Sequence, residues 1–248
     1  MPLPVVTNTH RLAFFFDFDG TLADIAERPE DVEVTDATRD ALNALRELSG
    51  GAVAIVTGRD IASIDHFLAP LRLPVAGVHG LTRRDANGQV HSPEIDAAAL
   101  DAIAGRLAAL VEREDGLLIE RKHGGLALHY RRRPELEDVC ITAMEAASAD
   151  SANISLRRGK MVIEAVAHSS NKGAAIESFL AEEPFRGRIP VFAGDDVTDE
   201  DGFAFVNAQG GVSIKIGAGS TIARHRSGDR EELLAWLSRV IDQARKTQ

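Results

Sequence analysis

Asp17 and Asp19 lie two residues apart, directly after the apolar run Leu12 to Phe16. In an extended chain, residues i and i+2 point to the same side. Two carboxylates held that close repel unless a cation or a proton sits between them. Mg2+ suits such a place, because it takes oxygen ligands and works with one or two carboxylates plus a substrate phosphate. A carboxylate can also attack phosphorus and form an aspartyl-phosphate. Its neighbour can then protonate the leaving oxygen and later activate water. Gly20 frees the backbone to turn and lets N–H groups face phosphate oxygens, and Thr21 adds a hydroxyl. Asp-Gly alone is a common turn dipeptide, so the chemistry needs partners elsewhere in the chain.

Those partners depend on the elements that carry them. Residues 12–16, with three consecutive phenylalanines, have the length and aromatic content of a buried strand. A helix is predicted from 35 to 48, with Ala41, Leu42, Leu45 and Leu48 at helical spacing. Residues 52–56 form a second strand that exits into Thr57-Gly58-Arg59-Asp60, and 73–80 a third with a glycine exit at Gly80. Asn87-Gly88 marks a hairpin turn within 83–91. Strands alternating with helices imply a parallel sheet with right-handed crossovers, hence an α/β fold.

The pattern changes after residue 92. It reads helix (95–111), strand pair (117–121 and 126–131), helix (134–147), strand pair (154–157 and 161–165). Tight turns imply antiparallel pairing, so this is a smaller α+β unit. The parallel pattern resumes when Asn171 caps a helix beginning at Lys172. Residues 189–193 form a strand ending in Gly194-Asp195-Asp196. A short helix at 203–206, a strand at 211–216 and a helix at 231–241 carrying Trp236 follow. The expected division is a core of 1–92 and 169–248 split by an inserted domain at 93–168, with residues 1–10 a loose arm.

Composition sets limits. The 248 residues carry a net charge of -10. A broad nucleic-acid surface is therefore not expected, since phosphate-backbone binding needs positive faces. One cysteine, Cys140, excludes an internal disulfide and fits a reducing cytoplasm; its apolar helical neighbours make it a packing residue. No signal peptide and no membrane span are expected. A cytoplasmic monomer or small oligomer acting on a small molecule is the expectation.

In an open parallel sheet, ligands bind at the carboxyl ends of the strands. That edge would collect Asp17, Asp19, Thr57, Asp195 and Asp196, with Lys172 in the first turn of a helix. Taken in order, Asp17-Phe18-Asp19-Gly20-Thr21, Thr57, Lys172, and Gly194-Asp195-Asp196 with Asp199 resemble the four motifs of the haloacid dehalogenase-like (HAD) phosphohydrolases. The resemblance implies a Rossmann-like core, Mg2+ dependence and an aspartyl-phosphate. Asp17 would be the nucleophile and Asp19 the general acid, then base. Thr57 would hydrogen-bond phosphate, and Lys172 would supply positive charge. The metal set would be drawn from Asp17, Asp19, Asp195 and Asp196, with Asp199 as an alternate or a supporting group.

A narrower similarity is to trehalose-6-phosphate phosphatases. It rests on the stretch from Gly194 to Phe203, on Gly77-Val78-His79-Gly80, and on the series Gly159-Lys160, Glu164 and Asn171-Lys172-Gly173. That family carries a cap between its second and third motifs, where the insert lies, and cap closure excludes water. The resemblance makes Arg121, Lys122, His129, Lys160 and Glu164 candidates to bind sugar hydroxyls. Gly20, Thr21, Arg59 and His79 join Asp19 as substrate contacts on the core. Trehalose 6-phosphate is the implied substrate. Sucrose or mannosylglycerate phosphate is the alternative, and a binding module on an inactive core is the rival from another class.

Overall fold

The computed structural model describes residues 2–247 except 7, 27, 93–96, 123–124, 152–153, 160 and 168–170, and leaves out the side chains of Pro29, Lys122, Ala167 and Thr247. In chain order the first part holds β1 (Leu12–Phe16), α1 (Asp36–Leu48), β2 (Val53–Val56), α2 (Ile61–Leu68), β3 (Val75–Gly77), β4 (Thr82–Arg84) and β5 (Val90–His91). The insert holds α3 (Ala97–Arg113), β6 (Leu118–Lys122), β7 (Gly125–His129), α4 (Glu137–Ser148), β8 (Ile154–Gly159) and β9 (Val162–Ala167). The last part holds α5 (Lys172–Leu180), β10 (Ile189–Gly194), α6 (Glu200–Ala208), β11 (Val212–Ile216), β12 (His225–Ser227) and α7 (Arg230–Thr247). Two compact units result, one of residues 1–91 and 171–248, the other of 92–170.

The larger unit is built on a sheet of order β12-β11-β10-β1-β2-β3-β4-β5. Strands from β12 to β3 are parallel, and the β4–β5 hairpin continues the sheet antiparallel at one edge. β1 is central because both its faces are apolar. Phe14 and Phe16 pack with α1, α2 and α7 through Leu42, Leu45, Phe67, Trp236 and Leu237. Phe15 faces the other way, onto Ile176 and Phe179 of α5 and Phe203 of α6. The chain leaves β1 for β2 on one side and returns through β10 on the other. The crevice between β1 and β10 is thus the point where strand order reverses, which is where such sheets bind ligands.

The 92–170 unit has its own four-stranded antiparallel sheet, β6-β7-β9-β8. α3 and α4 cover one face through Leu100, Ile103, Leu107, Cys140 and Met144, which meet Leu126, Leu128, Ile163 and Ala165. Cys140 is buried there, and burial pushes its thiol up, away from nucleophilic use.

Two expectations need correction, and one strand is additional. The N-terminal arm is not loose: Val6 is buried, Trp236 Nε1 donates to the Pro4 carbonyl at 2.7 Å, and Thr9 Oγ1 donates to the Leu48 carbonyl at 3.2 Å. The third strand stops at Gly77, because Val78 and His79 turn with φ of 50° and 56°. An edge strand, β12, was not expected, since its sequence His-Arg-Ser is polar and only three residues long.

Candidate active site

Four elements deliver polar groups to the crevice. β1 ends at Asp17, whose N–H donates to the Ala193 carbonyl at 2.9 Å and so fixes it beside β10. β10 ends at Gly194 and hands on Asp195 and Asp196. α5 begins at Lys172, with the Asn171 side chain accepting from Ala174 N at 2.7 Å as its cap. A short turn of helix, Val197–Asp199, brings Asp199 back under Gly194, where a Cβ would lie 2.3 Å from the Asp199 carboxyl carbon. Asp17, Lys172, Asp195 and Asp196 line a cleft of about 800 Å3 that also takes in Asp19, Thr57, Arg59 and His79.

At its floor, Lys172 Nζ lies 2.8 Å from Asp17 Oδ1 and 2.6 Å from Asp199 Oδ1, and all three side chains are buried. Asp17, Asp195 and Asp199 each offer a carboxylate oxygen, and these atoms fall within 4.8 Å of one another. Asp19 and Asp196 are not part of that group. Asp199 also accepts from Asp196 N at 2.8 Å. Burial lifts the Asp17 carboxyl to about 8, against the pull of Lys172. Burial likewise raises Asp195, with the charges of Asp199 and Asp196 adding to it. Burial alone would depress Lys172, but Asp17 and Asp199 more than reverse this and hold its ammonium above the ordinary range.

These groups fit a hard divalent cation. Three oxygen donors converge there, and the burial that raises Asp17 and Asp195 disfavours their charged forms unless a cation joins them. A second acidic group, Asp85, His91 and Glu182, also brings ligand atoms within 4.8 Å. Its atoms are spent on one another and on Arg83. Arg83 donates to both Glu182 oxygens at 2.9 and 2.7 Å, and His91 Nε2 is hydrogen-bonded to Asp85 Oδ2 at 2.9 Å.

Asp19 has a different environment from Asp17. Arg59 Nε and Nη2 donate to its two oxygens at 2.7 and 2.8 Å. The Arg59 guanidinium lies over the Phe67 ring at 4.9 Å and the Phe18 ring at 5.7 Å, so apolar walls hold the fork in place. Thr57 is buried, and its Oγ1 accepts from Arg59 N at 3.2 Å. His79 N donates to the Thr57 carbonyl at 2.8 Å, and a Cβ on Gly58 would strike the His79 imidazole at 2.8 Å. The left-handed backbone at His79 is what folds that ring over the Thr57 turn. Gly20, at φ 73°, approaches Asp195 so closely that a Cβ would lie 2.1 Å from Oδ2, and Thr21 Oγ1 donates to Asp195 Oδ1 at 3.4 Å. Gly20 and Thr21 thus seat Asp195 and not only the substrate.

The insert residues divide. Strand alternation and register place His129 and Glu164 on the sheet face that α3 and α4 leave open. Arg121 lies on the opposite, helix-covered face and pairs with Asp101 of α3, so it does not join them. The expected basic patch is therefore split between two sides of one sheet. His129 Nε2 is hydrogen-bonded to Glu120 Oε2 at 2.7 Å. Lys160 and the Lys122 side chain lie outside the described residues.

Two features of the site were not singled out from the sequence. One is the Arg59–Asp19 fork, which joins residues 40 apart. The other is Lys215 of β11, which is buried and donates from Nζ to the Asp195 carbonyl. A lysine between isoleucines in an otherwise buried strand was the available signal.

With this geometry in hand, comparison with known proteins is decisive. A profile described as trehalose-phosphatase matches residues 15–233. The chain belongs to the trehalose-phosphatase family. A trehalose-6-phosphate phosphatase of Escherichia coli is 40% identical over 230 residues, covering 93% of this chain and 86% of the relative. A solved trehalose-6-phosphate phosphatase of Aspergillus fumigatus superposes with a TM-score of 0.79 at 25% identity, over 94% of this chain and 93% of that one. A phosphatase of the haloalkanoate (HAD) superfamily from Bacteroides thetaiotaomicron shares the fold, with a TM-score of 0.63 at 15% identity over 96% and 98% of the two chains. Among the described residues, no helix is long and apolar enough to cross a membrane.

Proposed function

We propose that the chain hydrolyses trehalose 6-phosphate to trehalose and phosphate through an aspartyl-phosphate on Asp17, with Mg2+ as cofactor. The observation that carries this reading is the buried Asp17–Lys172–Asp199 contact at the strand-order reversal, with Asp195 beside it. An Asp17 oxygen attacks phosphorus as the bond from phosphorus to the sugar oxygen breaks. Asp19 gives that oxygen its proton. Both Asp19 oxygens accept from Arg59 in this structure, which fixes the direction in which the carboxyl points. In the second half, Asp19 takes a proton from water, whose oxygen attacks phosphorus and frees phosphate and the Asp17 carboxylate. Thr57 and the N–H groups after Asp17 orient the phosphoryl oxygens, and Lys172 balances their charge.

Asp17, Asp195 and Asp199 would hold Mg2+, and when bound it neutralises charge on the carboxylates and on the transferring group. Asp19 and Asp196 take other parts: Asp19 is the acid and base, and the Asp196 N–H fixes Asp199. On the insert, Lys122, His129, Lys160 and Glu164 are the sugar-recognising groups of this reading, and Arg121 is set aside by its pairing with Asp101. A cytoplasmic location belongs with this biosynthetic role.

Phosphate release from a panel of sugar phosphates, with Mg2+ and with chelator, tests it. A preference of ~100-fold for trehalose 6-phosphate, about 2.7 kcal/mol, is the expected result. Comparable rates on sucrose phosphate or mannosylglycerate phosphate would keep the mechanism and discard the substrate. No release from any of them would favour a binding module.

A further inference from the structure

Lys215 is a buried lysine in a place that packing does not require. Ile214 and Ile216 face the core under α1 and α7, as strand alternation demands. Ser213 and Lys215 point the other way. Ser213 Oγ donates to Asn207 Oδ1 of α6 at 2.7 Å, which ties down that end of the face. Lys215, opposite Gly194 in the β10–β11 register, runs up to the Asp195 carbonyl and donates to it. A buried ammonium carries a desolvation penalty of several kcal/mol, and an apolar residue of similar length would fill the space without it. The ammonium therefore does something that its methylenes do not.

Asp195 is held by three residues from two elements, the turn after β1 and the strand β11. Gly20 allows the close approach of the β1 turn to its carboxylate, Thr21 donates to Oδ1, and Lys215 donates to its main-chain oxygen. The first two act on the side chain. Lys215 alone among them fixes the backbone from which that side chain springs. We infer that Lys215 is a positioning residue that clamps the Asp195 backbone so that its carboxylate meets those of Asp17 and Asp199 in a cation-binding arrangement.

This rests on the cation site proposed above, and a test can separate the two. A charge and a clamp make different predictions for two variants that both lose the ammonium. If Lys215 acted only as positive charge near the site, Lys215→Met and Lys215→Gln would change Mg2+ binding alike. If it acts as a clamp, Lys215→Gln, which keeps a donor for the Asp195 carbonyl, binds Mg2+ more tightly than Lys215→Met. Groups that orient a metal ligand are worth ~10–100-fold in affinity, so Lys215→Met should raise the Mg2+ dissociation constant by about that factor.

The measurement is isothermal titration of Mg2+ into the full chain, with melting temperature followed across the same concentrations. In chelator, Lys215→Met should melt at or above the wild-type temperature, since it removes a buried charge. That result marks the loss of Mg2+ affinity as a loss of positioning and not of folding. Lys215→Gln keeps a donor without the charge and should fall between wild type and Lys215→Met; it also carries the test if the methionine variant does not fold. Unchanged or tighter Mg2+ binding in the variants, or equal binding in the two, would overturn the clamp. A wild-type chain that binds no Mg2+ would overturn the cation site and the clamp with it.

Discussion

The crevice and the insert both carry charge, and they treat it differently. At the crevice between β1 and β10, Asp17, Lys172 and Asp199 are buried and bonded to one another. On the insert, Arg121 pairs with Asp101, His129 with Glu120 and Arg158 with Glu145, all at or near the surface. Exposed pairs contribute little, about 0–1 kcal/mol, because water screens them and long side chains lose entropy. Buried groups are costly unless matched, so their presence needs a reason beyond stability. Burial, more than charge, sets the crevice apart from the insert.

The largest expected effect lies at the crevice. Asp17→Asn should reduce turnover by ~10^4-fold or more, as loss of a nucleophile does, while leaving a folded protein. Retained turnover in protein shown by mass spectrometry to be free of the parent would remove the covalent route. Lys172→Met comes next: leaving Asp17 and Asp199 without their ammonium should cost about 3–5 kcal/mol by denaturant unfolding in chelator. A cost under about 1 kcal/mol would place Lys172 with the surface pairs and erase the contrast between the regions.

On the insert, Glu164→Ala should lower hydrolysis of the sugar phosphate by ~10-fold, about 1.4 kcal/mol, while an aryl phosphate is hydrolysed as before. Equal losses on both substrates would take Glu164 out of sugar recognition. The smallest effect concerns a group of middle exposure. Hydrogen bonds from Arg84, at 2.6 Å to each oxygen, hold the Asp65 carboxyl below its usual range. On acidification the unfolded chain protonates this group first. Its contribution is therefore complete above the ordinary carboxylate range and disappears as pH falls through the depressed value. Asp65→Asn should flatten that part of the stability curve, and an unchanged acid limb would show the fork to be energetically silent.

Much of the site was legible because each group stands at an abrupt change of polarity. Phe14-Phe15-Phe16 turns to Asp17, and Val191-Phe192-Ala193 turns to Asp195. What sequence could not supply was pairing across the fold. Arg59 sits beside Thr57 in the chain, but its main partner is Asp19. Lys215 sits in an apolar strand, and its partner is a carbonyl, which no residue type announces. Arg121 and His129 look like parts of one basic patch until strand alternation sends them to opposite faces. The polarity of the N-terminal arm implies a loose segment, yet its carbonyl at Pro4 is what satisfies the Trp236 N–H.

The position of β1 has a consequence for how the protein is made. Its residues pair with β2 shortly afterwards, Phe14 beside Val53, but with β10 only near the far end, Leu12 beside Ile189. At ~5–20 residues per second, roughly 10–35 s of synthesis separate the emergence of Phe16 from that of Ile189. Throughout that interval a strand with three phenylalanines has one open edge, the kind of segment that aggregates or recruits a chaperone. Among the described residues, the core of the insert runs from Leu100 to Ala165, and it can close before the later chain is made. A substitution that weakens β10 would therefore appear first as lost yield of newly made chain, before any change in the rate of the enzyme that survives.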